Sequence, residues 1–86
     1  MHFSQWLRKR ICEANTTQAE LAEHLQRSPA TICNWLKDRH TPEDPEDIVN
    51  IAVLFSPDIE KIGNVLLSLM LSIQYTKQHP VKTDKV

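Results

Sequence analysis

Apolar residues recur at helical spacing along the chain, and capping residues divide the pattern into five segments. In the first segment, Phe3, Leu7 and Ile11 recur every four residues, which places them on one side of a helix. Asn15 follows this segment, and asparagine tolerates the left-handed conformation that ends many helices. The pattern predicts a first helix over about residues 4–14.

Start signals predict two further helices. Thr17 and Glu20 have the spacing of a capping box, in which each side chain accepts a hydrogen bond from the other residue's backbone N–H. This second helix is expected to end near Gln26. Ser28 followed by Pro29 starts the third helix, because serine caps a free N–H and proline has no N–H to satisfy.

The third predicted helix has two different sides. Ile32, Trp35 and Leu36 form an apolar side, and the small Ala22 lets the second helix cross the third closely. The outward side starts with small or amide-bearing side chains, namely Pro29, Ala30 and Asn34. Two short helices joined in this way form a helix-turn-helix over roughly residues 17–39, a unit that fits the major groove of DNA.

Proline and acidic residues organise the second half of the chain. Two prolines within residues 41–45 interrupt any helix and predict a loop. A fourth helix is predicted over residues 45–55, with two acidic residues in its positively polarised first turn. The Ser-Pro-Asp sequence at residues 56–58 repeats the cap-plus-proline signal and predicts a fifth helix over about residues 57–77.

The fifth predicted helix carries more apolar side chains than one buried face needs. One set has the 3-4-3-4 spacing of a coiled-coil seam: Ile59, Ile62, Leu66, Leu69 and Ile73. A second set widens the apolar surface: Val65, Leu67, Met70 and Leu71. The clearest polar positions are Lys61, Asn64, Ser68 and Ser72.

Two arrangements explain this excess of apolar surface. The fifth helix is either a fully buried central helix, or it packs one face on the first and fourth helices and the other on a second copy. We prefer the second arrangement, because dimerisation adds the core that a chain of 86 residues lacks. It predicts a homodimer with Leu67, Met70 and Leu71 at the interface.

Length and charge are those of a small single domain with two electrically different halves. We expect one domain over residues 1–79 and a flexible tail over residues 80–86. Residues 1–41 carry six basic and four acidic side chains, a net charge of +2, and residues 42–86 carry four and seven, a net charge of −3. A basic front suits phosphate binding, and an acidic rear limits nonspecific adhesion.

The helix-turn-helix residues resemble those of the Cro and phage-repressor (XRE-type) class over about residues 5–56, without gaps. The resemblance is carried by Gln18-Ala19-Glu20-Leu21-Ala22, Ser28, Thr31-Ile32, Trp35 and Thr41-Pro42. It implies an all-α, five-helix lambda-repressor-like fold with a long C-terminal helix. It also implies a transcriptional regulator, a repressor, that binds an inverted repeat in double-stranded DNA as a homodimer.

The resemblance further implies a role for individual residues. Those that match positions facing base edges are Pro29, Ala30 and Asn34. Those expected to contact phosphates are Gln18, Arg27, Ser28, Thr31, Lys37, Arg39 and His40.

Three features depart from the family's pattern. Gln26 occupies the turn position where the family usually has glycine, and a non-glycine residue in the left-handed region costs about 1 kcal/mol, so an altered turn is expected. Arg27 replaces an apolar residue and is expected to extend toward DNA. Ile11 and Leu36 stand where some relatives pair an arginine with a glutamate, which predicts an apolar contact in this chain.

Two other functions fit the same pattern. An antitoxin combines this DNA-binding unit with a surface that binds a second protein, here the fifth helix or the tail, and it would co-purify with a small partner. A protein-interaction module would use the helical fold without binding DNA, even at low salt.

The sequence offers no arrangement that indicates an enzyme, a cofactor or a metal site. Its serines and histidines are not arranged as a catalytic triad, and its four histidines and two cysteines lack metal-ligand spacing. No early apolar run resembles a secretory signal, and the apolar stretch at residues 65–73 is too short to cross a bilayer. We therefore expect a cytoplasmic protein without membrane contact, with Cys12 and Cys33 as reduced thiols.

Overall fold

The computed structural model describes residues 1–56 and 58–79, and this part of the chain folds into five α-helices without a strand. The helices are α1 Phe3–Glu13, α2 Gln18–Leu25, α3 Pro29–Leu36, α4 Pro45–Leu54 and α5 Ile62–Gln78. The all-α, five-helix prediction is confirmed. Pro57 and the predicted tail at residues 80–86 lie outside the described residues.

The first four helices begin within one residue of their predicted starts, because local caps define them. Thr17 Oγ1 accepts a hydrogen bond from the N–H of Glu20 at 3.1 Å, and Glu20 Oε1 accepts one from the N–H of Thr17 at 3.1 Å. Ser28 Oγ accepts a hydrogen bond from the N–H of Thr31 at 3.3 Å, with proline as the first residue of α3. The predicted capping box and proline start are confirmed.

The entry into α5 differs from the prediction. Asp58, not Ser56, caps the segment, since Asp58 Oδ1 accepts a hydrogen bond from the N–H of Lys61 at 3.1 Å. The first turn, Ile59–Lys61, is a 3₁₀ helix, and Ser56 Oγ donates to the carbonyl of Asp58 at 2.8 Å. The tighter turn changes the helical phase, and Ile59, which the spacing assigned to the apolar seam, is 81% exposed.

Three helices end on a left-handed residue that is not glycine: Asn15 (φ 56°), Gln26 (φ 56°) and Asp38 (φ 58°). After α2, the N–H of Arg27 donates to the carbonyl of Ala22 at 2.9 Å, which closes the turn as a Schellman motif. The turn expected to be altered at Gln26 therefore keeps the left-handed geometry that a glycine would adopt.

The hydrophobic core joins all five helices and is centred on the first three. Its fully buried side chains are Phe3, Leu7, Leu21, Ile32, Ile51 and Leu69. Leu36 also lies in this core, and Ile11 packs against the core as a half-buried residue. The apolar contact expected between Ile11 and Leu36 themselves stays a prediction.

Helix α5 packs on α1 and α4 with one face only. Leu69 and Ile73 are buried, whereas Leu67, Met70 and Leu71 are exposed. The fully buried arrangement is therefore wrong for the single chain. The predicted packing of one face on α1 and α4 is observed, and the contact of the other face with a second copy stays a prediction.

The polar positions of α5 do not form one solvent-facing stripe. Ser68 Oγ accepts a hydrogen bond from the indole Nε1–H of Trp6 at 2.8 Å, and Ser72 is buried. One turn further, Thr76 Oγ1 accepts a hydrogen bond from the N–H of Phe3 at 2.7 Å. The hydroxyls of Ser68 and Thr76 thus attach α5 to the first half of α1.

Candidate nucleic-acid interface

Helix α3 presents its amino end to solvent and buries its opposite side. Ser28, Pro29 and Ala30 are exposed, and Thr31 and Asn34 are half-buried. The opposite side, made of Ile32, Trp35 and Leu36, is buried in the core. The three residues predicted to face base edges are thus all accessible, on a helix that the core holds in place.

The hydroxyls at the start of α3 contact each other. Ser28 Oγ and Thr31 Oγ1 lie 3.1 Å apart, beside the positively polarised end of the helix. An oxygen of a DNA phosphate is a suitable further partner for such hydroxyls and for the N–H groups near them. This geometry suits the predicted contribution of both residues to phosphate contact.

The other polar residues predicted to contact phosphate flank α3. Gln18 is exposed as the first residue of α2, and Lys37, Arg39 and His40 are exposed directly after α3. Exposed polar and basic side chains near a protruding helix can reach the phosphates that border a groove.

Arg27 is the exception among the predicted phosphate contacts. Its Nε–H donates to Asp47 Oδ1 at 2.8 Å, and its Nη2 lies 3.4 Å from Asp44 Oδ2. The hydrogen bond to Asp47 and the charge of that carboxylate raise the pKa of Arg27 above its ordinary value. A phosphate would have to compete with two carboxylates, so this arginine has a structural role that its position in the chain did not reveal.

Two residues of α1 hold the carboxyl end of α3. Arg8 Nη2 donates to the backbone carbonyl of Leu36 at 2.9 Å, and Ser4 Oγ donates to Asp38 Oδ2 at 2.7 Å. The bond from Arg8 satisfies a backbone carbonyl at the end of the helix, where carbonyls lack intrahelical partners. The bond from Ser4 satisfies one carboxylate oxygen of the Asp38 side chain, just after the helix. No local pattern predicts them, because each bond joins residues far apart in the chain.

Arg10, two residues after Arg8 in α1, also has intramolecular partners. Arg10 Nη1 bonds Glu13 Oε1 at 3.0 Å, and its guanidinium lies 5.3 Å from the ring centroid of Trp6. Lys37 and Arg39 are exposed directly after α3 and form no ion pair among the described residues, which makes them well placed to supply the basic front predicted from net charge.

Comparison with known proteins does not assign this chain to a family. No family model matches it, and neither the curated proteins nor the solved structures gave a match. The likeness to phage repressors therefore depends on the residues quoted above and on the placement of α2 and α3.

Two other kinds of feature are absent from the part of the chain that the structure describes. Within residues 1–56 and 58–79, no three His, Cys, Asp or Glu side chains converge as metal ligands would. No helix among these residues combines the length and the apolar character needed to span a lipid bilayer.

Proposed function

We propose that this chain is a sequence-specific DNA-binding transcriptional regulator, a cytoplasmic repressor that reads the major groove with the amino end of α3. The observation that carries the proposal is that α3 is buried on one side only. Ile32 and Trp35 fix the helix to the core, while Pro29 and Ala30 stand exposed at its start. A rigid helix with a small, accessible amino end is the unit that major-groove readers use.

The side chains at this end have chemistry suited to base edges. The amide of Asn34 can accept and donate together, as bidentate pairing with adenine requires, and the methyl group of Ala30 can pack on a thymine methyl. Few of these side chains form directional hydrogen bonds, so DNA shape is expected to supply part of the specificity.

A homodimer would bring two copies of α3 to one DNA site. Leu67, Met70 and Leu71 are each more than half exposed on α5, an unusual cost for leucine and methionine in a chain of this size. Burying them against a second copy removes that cost. Two reading helices about 34 Å apart would then select a palindrome with half-sites one helical turn apart. Occupancy of such a site blocks transcription without a further domain.

Selection of bound fragments from random duplex DNA tests the proposal. We expect one enriched palindrome and affinity that falls steeply with salt, because phosphate contacts release counterions. Ala30→Glu places a charge at the start of α3 and should abolish the enrichment. Gln5→Glu adds the same charge at an exposed position of α1 and should preserve it. Absence of binding at low salt, or a retained pool without a shared sequence, would refute the proposal.

A further inference from the structure

The exposed side of α5 is free of charge along most of its length. No charged residue occurs from Ile62 to Thr76. We call the exposed residues of this helix that lie on this side the outer face of α5: Gly63, Asn64, Leu67, Met70, Leu71, Gln74 and Tyr75. The centre of such a face exerts no net electrostatic attraction or repulsion on a partner. The partner is therefore selected by shape and by the charges at the two ends of the face.

The two ends of the outer face carry opposite charge. At the amino end, Asp58 and Glu60 outweigh Lys61, and at the carboxyl end Lys77 is the one formal charge within the described residues. Glu60 and Lys77 are separated by about 25 Å along the helix axis, at a rise of about 1.5 Å per residue. The midpoint between them in the chain falls among Leu67, Met70 and Leu71, the most apolar part of the face.

A groove borders the outer face on each side. Next to α1, a cavity of about 620 Å³ is lined by Met1, Trp6, Leu71 and Tyr75 among others. Next to α4, a cavity of about 280 Å³ is lined by Ile48, Met70 and Lys77 among others. The outer face is thus an apolar ridge between two grooves, a shape that accepts the side chains of a second helix.

We propose that the outer faces of two α5 helices pack antiparallel about a twofold axis near Leu67 and Leu71, with Glu60 of each copy beside Lys77 of the other. This inference rests on the dimer in the proposed function and adds its geometry. A twofold contact must be self-complementary. On each helix the centre is uncharged, and the two ends carry opposite charges at equal distances from it. Two such faces are self-complementary only when the helices run in opposite directions.

The parallel arrangement lacks this complementarity. It places Glu60 beside Glu60 and Lys77 beside Lys77, and it aligns the two helix dipoles. A strongly acidic or basic partner protein also fits poorly, because the outer face offers no matching charge at its centre. A second copy is the occupant that the charge pattern favours.

Charge reversal tests the orientation. Glu60→Lys and Lys77→Glu should each raise the dimer Kd by about tenfold, because each variant makes both end contacts repulsive. An equal mixture of the two variants should form a heterodimer of wild-type affinity, and the double variant should recover as a homodimer. Analytical ultracentrifugation and native mass spectrometry measure these states. Glu23→Lys and Lys9→Glu repeat the charge changes at exposed positions of α2 and α1 and should leave Kd unchanged.

Cysteine cross-linking gives an independent measurement. In a background with Cys12→Ser and Cys33→Ala, copies with Gly63→Cys are mixed with copies with Gln74→Cys under mild oxidation. Positions 63 and 74 are equally far from the proposed axis, so the mixture should cross-link and neither variant alone should. Self-cross-linking of each variant alone would instead indicate a parallel pair.

The possible outcomes separate the orientation from the dimer itself. A dimer whose Kd ignores both charge reversals, or whose mixed variants fail to recover, overturns the antiparallel arrangement and leaves a dimer in place. A chain that stays monomeric at all concentrations, or that is isolated with a different protein on α5, overturns both. DNA-site selection reports separately on α3.

Discussion

Arg27 Nε donates to Asp47 Oδ1 at 2.8 Å, which ties the turn between α2 and α3 to the first turn of α4. The Asp47 side chain is only 9% exposed, whereas the Arg27 side chain is 37% exposed. A largely buried carboxylate requires a partner, and this arginine supplies both charge and a directed N–H. The pair therefore helps to fix the angle at which α3 leaves the domain.

Replacing Asp47 should loosen this connection and free Arg27. We expect Asp47→Asn to lower the Tm, because the neutral amide loses the charged hydrogen bond. It should also steepen the dependence of log K on log salt by roughly 0.9, since one more arginine is available to a phosphate. Glu43→Gln removes the same charge at an exposed position in the loop before α4 and should do neither.

The same pair decides whether Arg27 contacts DNA in the native chain. If Asp47 retains the guanidinium in the complex, Arg27→Gln lowers the Tm and leaves the salt slope at its native value. A slope that becomes shallower by about 0.9 would show that the arginine leaves Asp47 for a phosphate. Calorimetry measures the Tm, and fluorescence anisotropy at several salt concentrations measures the salt slope.

Gln26 holds a backbone conformation that glycine adopts without strain. Its φ of 56° closes α2 although its side chain is exposed. We expect Gln26→Gly to raise the free energy of unfolding by about 1 kcal/mol, because the steric cost at Cβ disappears. Urea denaturation should show a higher midpoint at unchanged slope. Gln26→Ala retains the Cβ and should give no gain; a midpoint lowered by glycine would contradict the interpretation.

Thr76 satisfies the first backbone N–H of α1 from the far end of the chain. Its hydroxyl accepts from the N–H of Phe3 at 2.7 Å and donates to the carbonyl of Ser72 at 2.8 Å. Thr76→Val keeps the shape and leaves that buried N–H without an acceptor, which should cost about 1–3 kcal/mol. Thr76→Ser retains the hydroxyl and should cost less. Equal losses for the two variants would show that the methyl group, not the hydrogen bond, matters.

The parts of this fold that follow from neighbouring residues were predictable. Thr17 with Glu20 and Ser28 with Pro29 specify helix starts within four residues, so spacing alone locates them. The buried side of α3 follows from Ile32 and Trp35 in the same way, because helical period relates adjacent turns.

The parts that depend on distant residues were not predictable. Arg27 reaches Asp47 twenty positions later, and Ser4 reaches Asp38 thirty-four positions later. A charged residue that pairs through the fold has the same local surroundings as one that faces solvent. Ser68 was likewise indistinguishable from a surface serine until α1 placed the indole N–H of Trp6 against it.

Asn34 and Lys37 should affect DNA binding in different ways. Asn34→Ala should reduce discrimination at one base position by about 1–3 kcal/mol, because an amide that reads an adenine edge is lost. Lys37→Ala should weaken all sequences alike and make the salt slope shallower by roughly 0.9, because only a phosphate contact is removed. Asn50→Ala removes an exposed amide from α4 and serves as the control. Titration of the selected site and of its single-base variants distinguishes these outcomes, and an Asn34→Ala effect that is uniform across all of them would mean that this amide binds the DNA backbone instead of a base.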